Sequence, residues 1–230
     1  EIVIPETAHP AFNKGADYLG LAVTRVPVDG NLRVDLASYA SAITDNTVLL
    51  AGSAPNYPFG MVDPIPEMAA LAAERGINFH VDACVGGFLL PFVEQLGRQI
   101  IPFDFRVPGV TTISADLHKY GFAARGASTI LHRDASSYQY QGMAFNDWPA
   151  GSYSTPTMAG SRPGGAIAAA WAVMKYLGKD GYTRLAAQAM QATDHLIEGV
   201  EAIAGFEIVG EPDASILAIS SPDRDIAAVA

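Results

Sequence analysis

Short apolar, β-branched runs alternate along this chain with stretches whose apolar residues recur every three or four positions, the pattern of parallel strands covered by helices. Residues 2–4, 20–26, 47–51, 78–81, 110–114 and 128–131 read as strands. Residues 10–18, 35–43, 64–74 and 91–96 read as helices between them. Pro64 and Pro66 stand where a helix tolerates proline, in its first turn, and Gly76 follows Arg75 as a stop. The expected fold class is α/β, a mostly parallel sheet flanked by helices. Over residues 163–203 an Ala-rich helical pattern is broken at Gly178-Lys-Asp-Gly181, which reads as a turn between two helices, and Gly205 closes the second. Two further strand-like runs within residues 206–221 suggest a second, smaller domain, dividing the chain into 1–205 and 206–230. Residues 134–163, rich in Tyr, Gly and Ser, form the longest stretch without a pattern, and such loops are often functional.

Composition narrows the function classes. With 230 residues, 50% of them hydrophobic, the chain can bury a core and still leave a cleft. Cys84 is the single cysteine, which excludes a disulfide scaffold and points to a reducing, cytoplasmic setting. A net charge of −10 argues against nucleic acid as a partner, although a local cation can still hold a phosphate in a pocket. The longest apolar stretch, residues 85–93, is interrupted by Gly86, Gly87 and Pro91 and falls far short of the ~20 residues of a membrane span. The chain opens on Glu1-Ile-Val-Ile and closes on Asp225-Ile-Ala-Ala-Val-Ala, both of which read as the middle of an element, so a piece of a longer protein is expected.

In open α/β sheets, ligands bind beyond the carboxyl ends of the strands. That edge would carry Thr7-Ala8-His9, Gly52-Ser53-Ala54-Pro55-Asn56-Tyr57, Asp82, and Asp116-Leu117-His118-Lys119. Each has a plainer reading: His9 as a local cap, Tyr57 as packing between prolines, Lys119 as a surface lysine. His80 reads as a satisfied core histidine on the pleat opposite the loop of His9. The spacing of His80, Asp82, Cys84 and His118 matches no zinc pattern, so no metal is expected. Nucleophile-elbow, Walker A and G-x-G-x-x-G motifs are absent from the sequence. Lys119 at a strand end, beside Gly121, stands where a carbonyl cofactor could form a Schiff base. Pyridoxal phosphate also needs an anion at its ring nitrogen, for which Asp82 is the candidate, and His9 could stack on the ring.

The runs His80-Val-Asp-Ala-Cys-Val-Gly-Gly-Phe, Phe103-Asp-Phe-Arg-Val-Pro-Gly-Val-Thr-Thr-Ile-Ser-Ala-Asp-Leu-His-Lys-Tyr-Gly-Phe and Ser154-Thr-Pro-Thr-Met-Ala-Gly-Ser-Arg-Pro-Gly closely resemble sphingosine-1-phosphate lyases. These belong to the group II decarboxylase-like branch of fold-type I pyridoxal-phosphate enzymes. Thr7-Ala-His-Pro-Ala-Phe and Gly52-Ser-Ala-Pro-Asn resemble them too. The resemblance implies the large domain of that fold, lacking parts at both ends, with Lys119 carrying the cofactor, Asp82 on the pyridinium nitrogen and His9 on the ring face. It further implies that Ser114 and His118 bind the cofactor phosphate, that Tyr57 transfers protons, and that the Gly160-Ser-Arg-Pro-Gly164 loop lies near a partner subunit in a homodimer. The implied reaction is retro-aldol cleavage of a phosphorylated long-chain amino alcohol to phosphoethanolamine and a long-chain aldehyde. One departure stands out: Ala123-Ala-Arg-Gly carries Arg125 where the family has lysine. A guanidinium keeps a role in clamping the substrate phosphate but is no proton donor. Within the branch, an amino-acid decarboxylase is the alternative; outside it, a cofactor-free structural or interaction module.

Overall fold

The computed structural model describes residues 1–229, so of the expected 206–230 unit Ala230 lies outside the described residues. Six strands form the main sheet: β1 (Ile2–Pro5), β2 (Val23–Val26), β3 (Leu49–Ser53), β4 (Asn78–Asp82), β5 (Val110–Ala115) and β6 (Thr129–His132), in the order β2-β1-β3-β4-β5-β6. The first five run parallel, and β6 pairs antiparallel with β5. That reversal follows from the connection: no helix crosses over between β5 and β6, and a parallel return requires such a crossover.

Strand alternation sorts the core into two faces. Val3, Leu50, Phe79, Val81 and Ile113 belong to the larger cluster, with Tyr39 of α2 (Leu36–Ala42), Met68 and Ala72 of α3 (Ile65–Arg75) and Leu90 and Val93 of α4 (Leu90–Gln95). Ile2, Ile4 and Ala51 face the other way, against Phe12 and Ala16 of α1 (Ala11–Leu19). Each fully buried Leu, Ile or Phe is worth about 1.5–3 kcal/mol relative to exposure, which is why these strands hold their register. His80 shares the second face. Its ring meets Phe12 edge-on at 6.0 Å, so it lies on the same side as the His9 loop and not on the opposite pleat, because β4 turns Phe79 and Val81 into the larger core.

Helix ends follow local chemistry. Asp35 caps α2 by accepting the Ser38 amide at 2.7 Å, and Gly76 ends α3 at φ 63°. Gly20 likewise closes α1 in the left-handed region, which takes the first residues of the expected 20–26 strand into a helix exit and leaves β2 to begin at Val23. The patternless 134–163 stretch is in fact structured. Asp134 caps a short helix, α5 (Ala135–Tyr138), by accepting the Ser136 and Ser137 amides, and β7 (Met143–Phe145) pairs antiparallel with β8 (Tyr153–Thr155). These strands are largely exposed, so they lack the burial alternation that announces a strand. Helix α6 (Gly164–Glu201) is kinked where a turn is expected, at Gly178, with φ 54° and ψ −173°. The antiparallel pair β9 (Glu207–Ile208) and β10 (Ile219–Ser220) and the helix α7 (Ile226–Val229) follow. Among the described residues no helix is long and apolar enough to cross a membrane, and no group of three or more His, Cys, Asp or Glu could hold a metal ion.

Candidate active site

The strand ends converge as the sheet rule requires. Ser53, Asp82 and Ser114 are register partners across β3, β4 and β5. Beyond this edge a cavity of about 430 Å³ is lined by His9, Ser53, Tyr57, Asp82, Cys84, Asp116 and Lys119, among others. Four elements thus bring together His9, Tyr57, Asp82 and Lys119.

Lys119 owes its place to a tight turn. The Ala123 amide donates to Leu117 O at 2.9 Å, Phe122 adopts φ 57°, and a Cβ on Gly121 would lie 2.4 Å from Leu117 O. A non-glycine residue in the left-handed region costs of order 1 kcal/mol and persists only where its surroundings demand it. Tyr182 of α6 supplies part of that demand, donating its hydroxyl to Gly121 O at 2.9 Å. Lys119 Nζ lies 2.9 Å from Asp116 Oδ2. Burial alone would lower the lysine, but the Asp116 hydrogen bond and charge outweigh it and hold the ammonium above its usual range. Burial likewise works to raise Asp116, yet the Ser128 hydroxyl, Lys119 and His118 together keep that carboxyl below its usual range.

Asp82 ends β4, and its Oδ1 accepts the Cys84 amide at 3.1 Å and the Ser114 hydroxyl at 3.3 Å. Ser114 also lies 3.2 Å from His80 Nε2 and receives the Cys84 thiol at 3.2 Å. His80 is held well below the usual histidine range, chiefly by burial, and is therefore neutral at physiological pH. With Ser114 donating to Asp82, His80 Nε2 is the protonated nitrogen facing Ser114, and Thr112 Oγ1, 2.8 Å from Nδ1, donates. This chain of donors presents Asp82 as an acceptor. Burial, followed by the charge of Asp82, pushes the Cys84 thiol up to about 12, so it is a wall and not a nucleophile.

His9 stands at the start of α1 and at the cavity. Its Nδ1 accepts the amide of Ala11, the first residue of α1, at 3.1 Å, and the residue lines the cavity. Tyr57 lines it too and is largely exposed. Three other candidates stand apart from the lining. Ser114 is committed to Asp82 and its neighbours behind the wall; His118 Nδ1 faces Ala127 O at 3.3 Å with Nε2 3.6 Å from Asp116; Arg125 is exposed. Sequence reasoning gave no role to Asp116, the ion partner of Lys119, although its place at the same strand end is the signal that could have found it.

The chain belongs to the family described as the pyridoxal-dependent decarboxylase conserved domain, whose model matches residues 2–220. It is similar to a sphingosine-1-phosphate lyase of Arabidopsis thaliana, with 47% identity over 98% of this chain and 42% of that protein. A probable L-tyrosine/L-aspartate decarboxylase of Methanothermobacter thermautotrophicus is 36% identical over 96% of this chain and 60% of that protein. Among solved structures, a sphingosine-1-phosphate lyase of Burkholderia pseudomallei superposes with a TM-score of 0.95 at 43% identity, covering 99% of this chain and 52% of that one. The chain therefore spans about half the length of these relatives. The family implies pyridoxal 5'-phosphate, and the cavity fits its ring and aldehyde: one amine at Lys119, one carboxylate at Asp82, a flat imidazole at His9, and a volume within the usual range for small ligands.

Proposed function

We propose that this chain forms the cofactor-binding core of a pyridoxal-phosphate-dependent carbon–carbon lyase that cleaves a phosphorylated long-chain amino alcohol into phosphoethanolamine and a long-chain aldehyde. The observation that carries the reading is the convergence of Lys119, Asp82, His9 and Tyr57 on one cavity, in a chain 47% identical to a sphingosine-1-phosphate lyase. When bound, the cofactor supplies an electron sink for the bond that breaks. Lys119 would provide the amine that holds it, and Asp116, 2.9 Å from Nζ, governs how readily that amine loses its proton. Asp82, fed by the Ser114 and Cys84 donors, holds a proton at the ring nitrogen. His9 offers its face to the ring, kept in place by its bond to the Ala11 amide. Tyr57, exposed at the mouth, moves the proton of the substrate hydroxyl. The reading also keeps Ser114 and His118 as binders of the cofactor phosphate and Arg125 as binder of the substrate phosphate, although none of the three lines the cavity in this structure.

The same reading includes a cytoplasmic homodimer. Tyr140, Met143, Phe145, Trp148, Tyr153 and Met158 are exposed large hydrophobics that lie in sequence just before the Gly160-Ser-Arg-Pro-Gly164 loop, which supports a partner surface there. The division at residues 205 and 206 is retained as the boundary between the large domain and the first part of a small one. A decarboxylase is the weaker reading, since the decarboxylase relative is 36% identical and the lyase relative 47%. Product analysis separates them. The lyase releases a long-chain aldehyde from a phosphorylated long-chain base and no carbon dioxide from amino acids; the reverse result would overturn the assignment.

A further inference from the structure

The segment 209–218, which joins β9 to β10, contributes no residue to the cavity lining, yet it is fastened to both loops that build the wall. On one side stands the loop of Tyr57. Asp213 Oδ2 accepts from Arg33 Nη2 at 2.6 Å and from the Val62 amide at 2.8 Å, while the Asp213 amide donates to Gly60 O at 3.0 Å. Arg33 Nε donates to Val62 O at 2.8 Å, so the ion pair grips both backbone groups of Val62. That loop closes on itself through Asn56, whose amide donates to Met61 O at 2.7 Å and whose carbonyl accepts the Gly60 amide at 3.0 Å, with Tyr57 inside the closure. On the other side, the Ser215 hydroxyl bonds the Tyr120 hydroxyl, one residue after Lys119. The junction with the Tyr57 loop has no slack. Gly60 sits at φ 75°, where a Cβ would lie 2.3 Å from Ile216 O, and a Cβ on Gly210 would lie 2.4 Å from Met61 Cε. Ala214, between Asp213 and Ser215, is fully buried in the larger core.

We propose that Arg33, Asp213 and Ser215 are positioning residues that fix Tyr57 relative to Lys119, making the 209–218 segment the route by which the chain around it sets the shape of the cavity. The catalytic meaning of that separation rests on the proposed function; the coupling itself does not. Neither Arg33 nor Asp213 touches the cavity, and the Arg33 and Asp213 side chains are 21% and 16% exposed, so the pair is shielded enough to hold a loop.

The test is amide exchange by mass spectrometry on the full chain, together with the rate at which Lys119 takes up pyridoxal phosphate before borohydride trapping. Asp213→Ala leaves the Val62 amide and Arg33 Nη2 without the carboxylate they share, and exchange over residues 54–63 is expected to rise at least about tenfold while β4 and β5 stay unchanged. Ser215→Ala is expected to speed exchange over residues 117–123 and alter the uptake rate at Lys119, with residues 54–63 unaffected. Exchange over 54–63 that is unchanged in Asp213→Ala, or that rises uniformly through the sheet, would overturn the coupling. Asp213→Asn, which keeps the shape and removes the charge, carries the same test if the alanine variant does not fold, with a smaller local rise expected. A wild type that fails to label at Lys119 would count against the proposed function and leave the exchange result to decide the coupling.

Discussion

Asp63 is the carboxylate whose environment differs most from water, and its titration is a quantitative check on how this fold holds the cavity wall. It is fully buried, and its two oxygens accept the Ser53 amide at 2.8 Å and the Val34 amide at 3.2 Å. Burial raises it from 3.8 to about 6, against the pull of those amides and of Arg33. Because the folded value lies above the unfolded one, the group's contribution to stability is fully present below pH 3.8 and is lost as pH rises through about 6. Between pH 7 and pH 5 the native state takes up most of a proton that the unfolded chain does not, which adds about 1.3 kcal/mol to stability. Asp63→Asn has no such proton. Urea unfolding of both proteins at pH 5, 6 and 7 should therefore show a wild-type response steeper by about that amount, with the denaturant slope unchanged. Equal responses would refute the reasoning that burial dominates at Asp63. Ser53 lines the cavity, so the same group that pays this cost pins part of the site.

Asp116→Asn removes the charge, and weakens the hydrogen bond, that keep Lys119 protonated and leaves burial, which favours the free amine; pyridoxal phosphate uptake at pH 7 should quicken, and slower uptake would contradict the ion-pair assignment. The Cys84 thiol, raised from 9.0 to about 12, should react with iodoacetamide about a thousandfold more slowly than an ordinary thiol at pH 8 and normally once unfolded in urea. Tyr57→Phe should lower the rate of aldehyde formation by about 10²–10⁴-fold while Lys119 still takes up the cofactor, and full activity would remove Tyr57 from proton transfer.

Much of this fold is legible in the sequence because its strands are buried on both faces. The Ile2-Val-Ile run and the run ending at Ser53 are continuous and apolar, and a parallel sheet makes such runs strands. What escaped was decided by single backbone choices. Gly20 reads as part of a strand until it is seen capping α1, and the β7–β8 hairpin is invisible to hydrophobic pattern because its side chains lie largely in solvent. At the site, Asp82 and Lys119 followed from the strand-end rule, since a carboxylate closing a buried strand needs a purpose. Asp116 lies at that same strand end, but its pairing with Lys119 depends on the turn set by the left-handed Phe122 and the crowding around Gly121, which the sequence does not show. Asp63 sits in a Met-Val-Asp-Pro run that gives no hint of burial; only the return of the 54–63 loop onto β3 encloses it.

The central claim, that this cavity holds pyridoxal phosphate through Lys119, is tested most directly by adding the cofactor, reducing with borohydride and mapping the modified peptide. The account predicts a single pyridoxyl group on Lys119. Modification of Lys14, Lys175 or Lys179 with Lys119 untouched would contradict it.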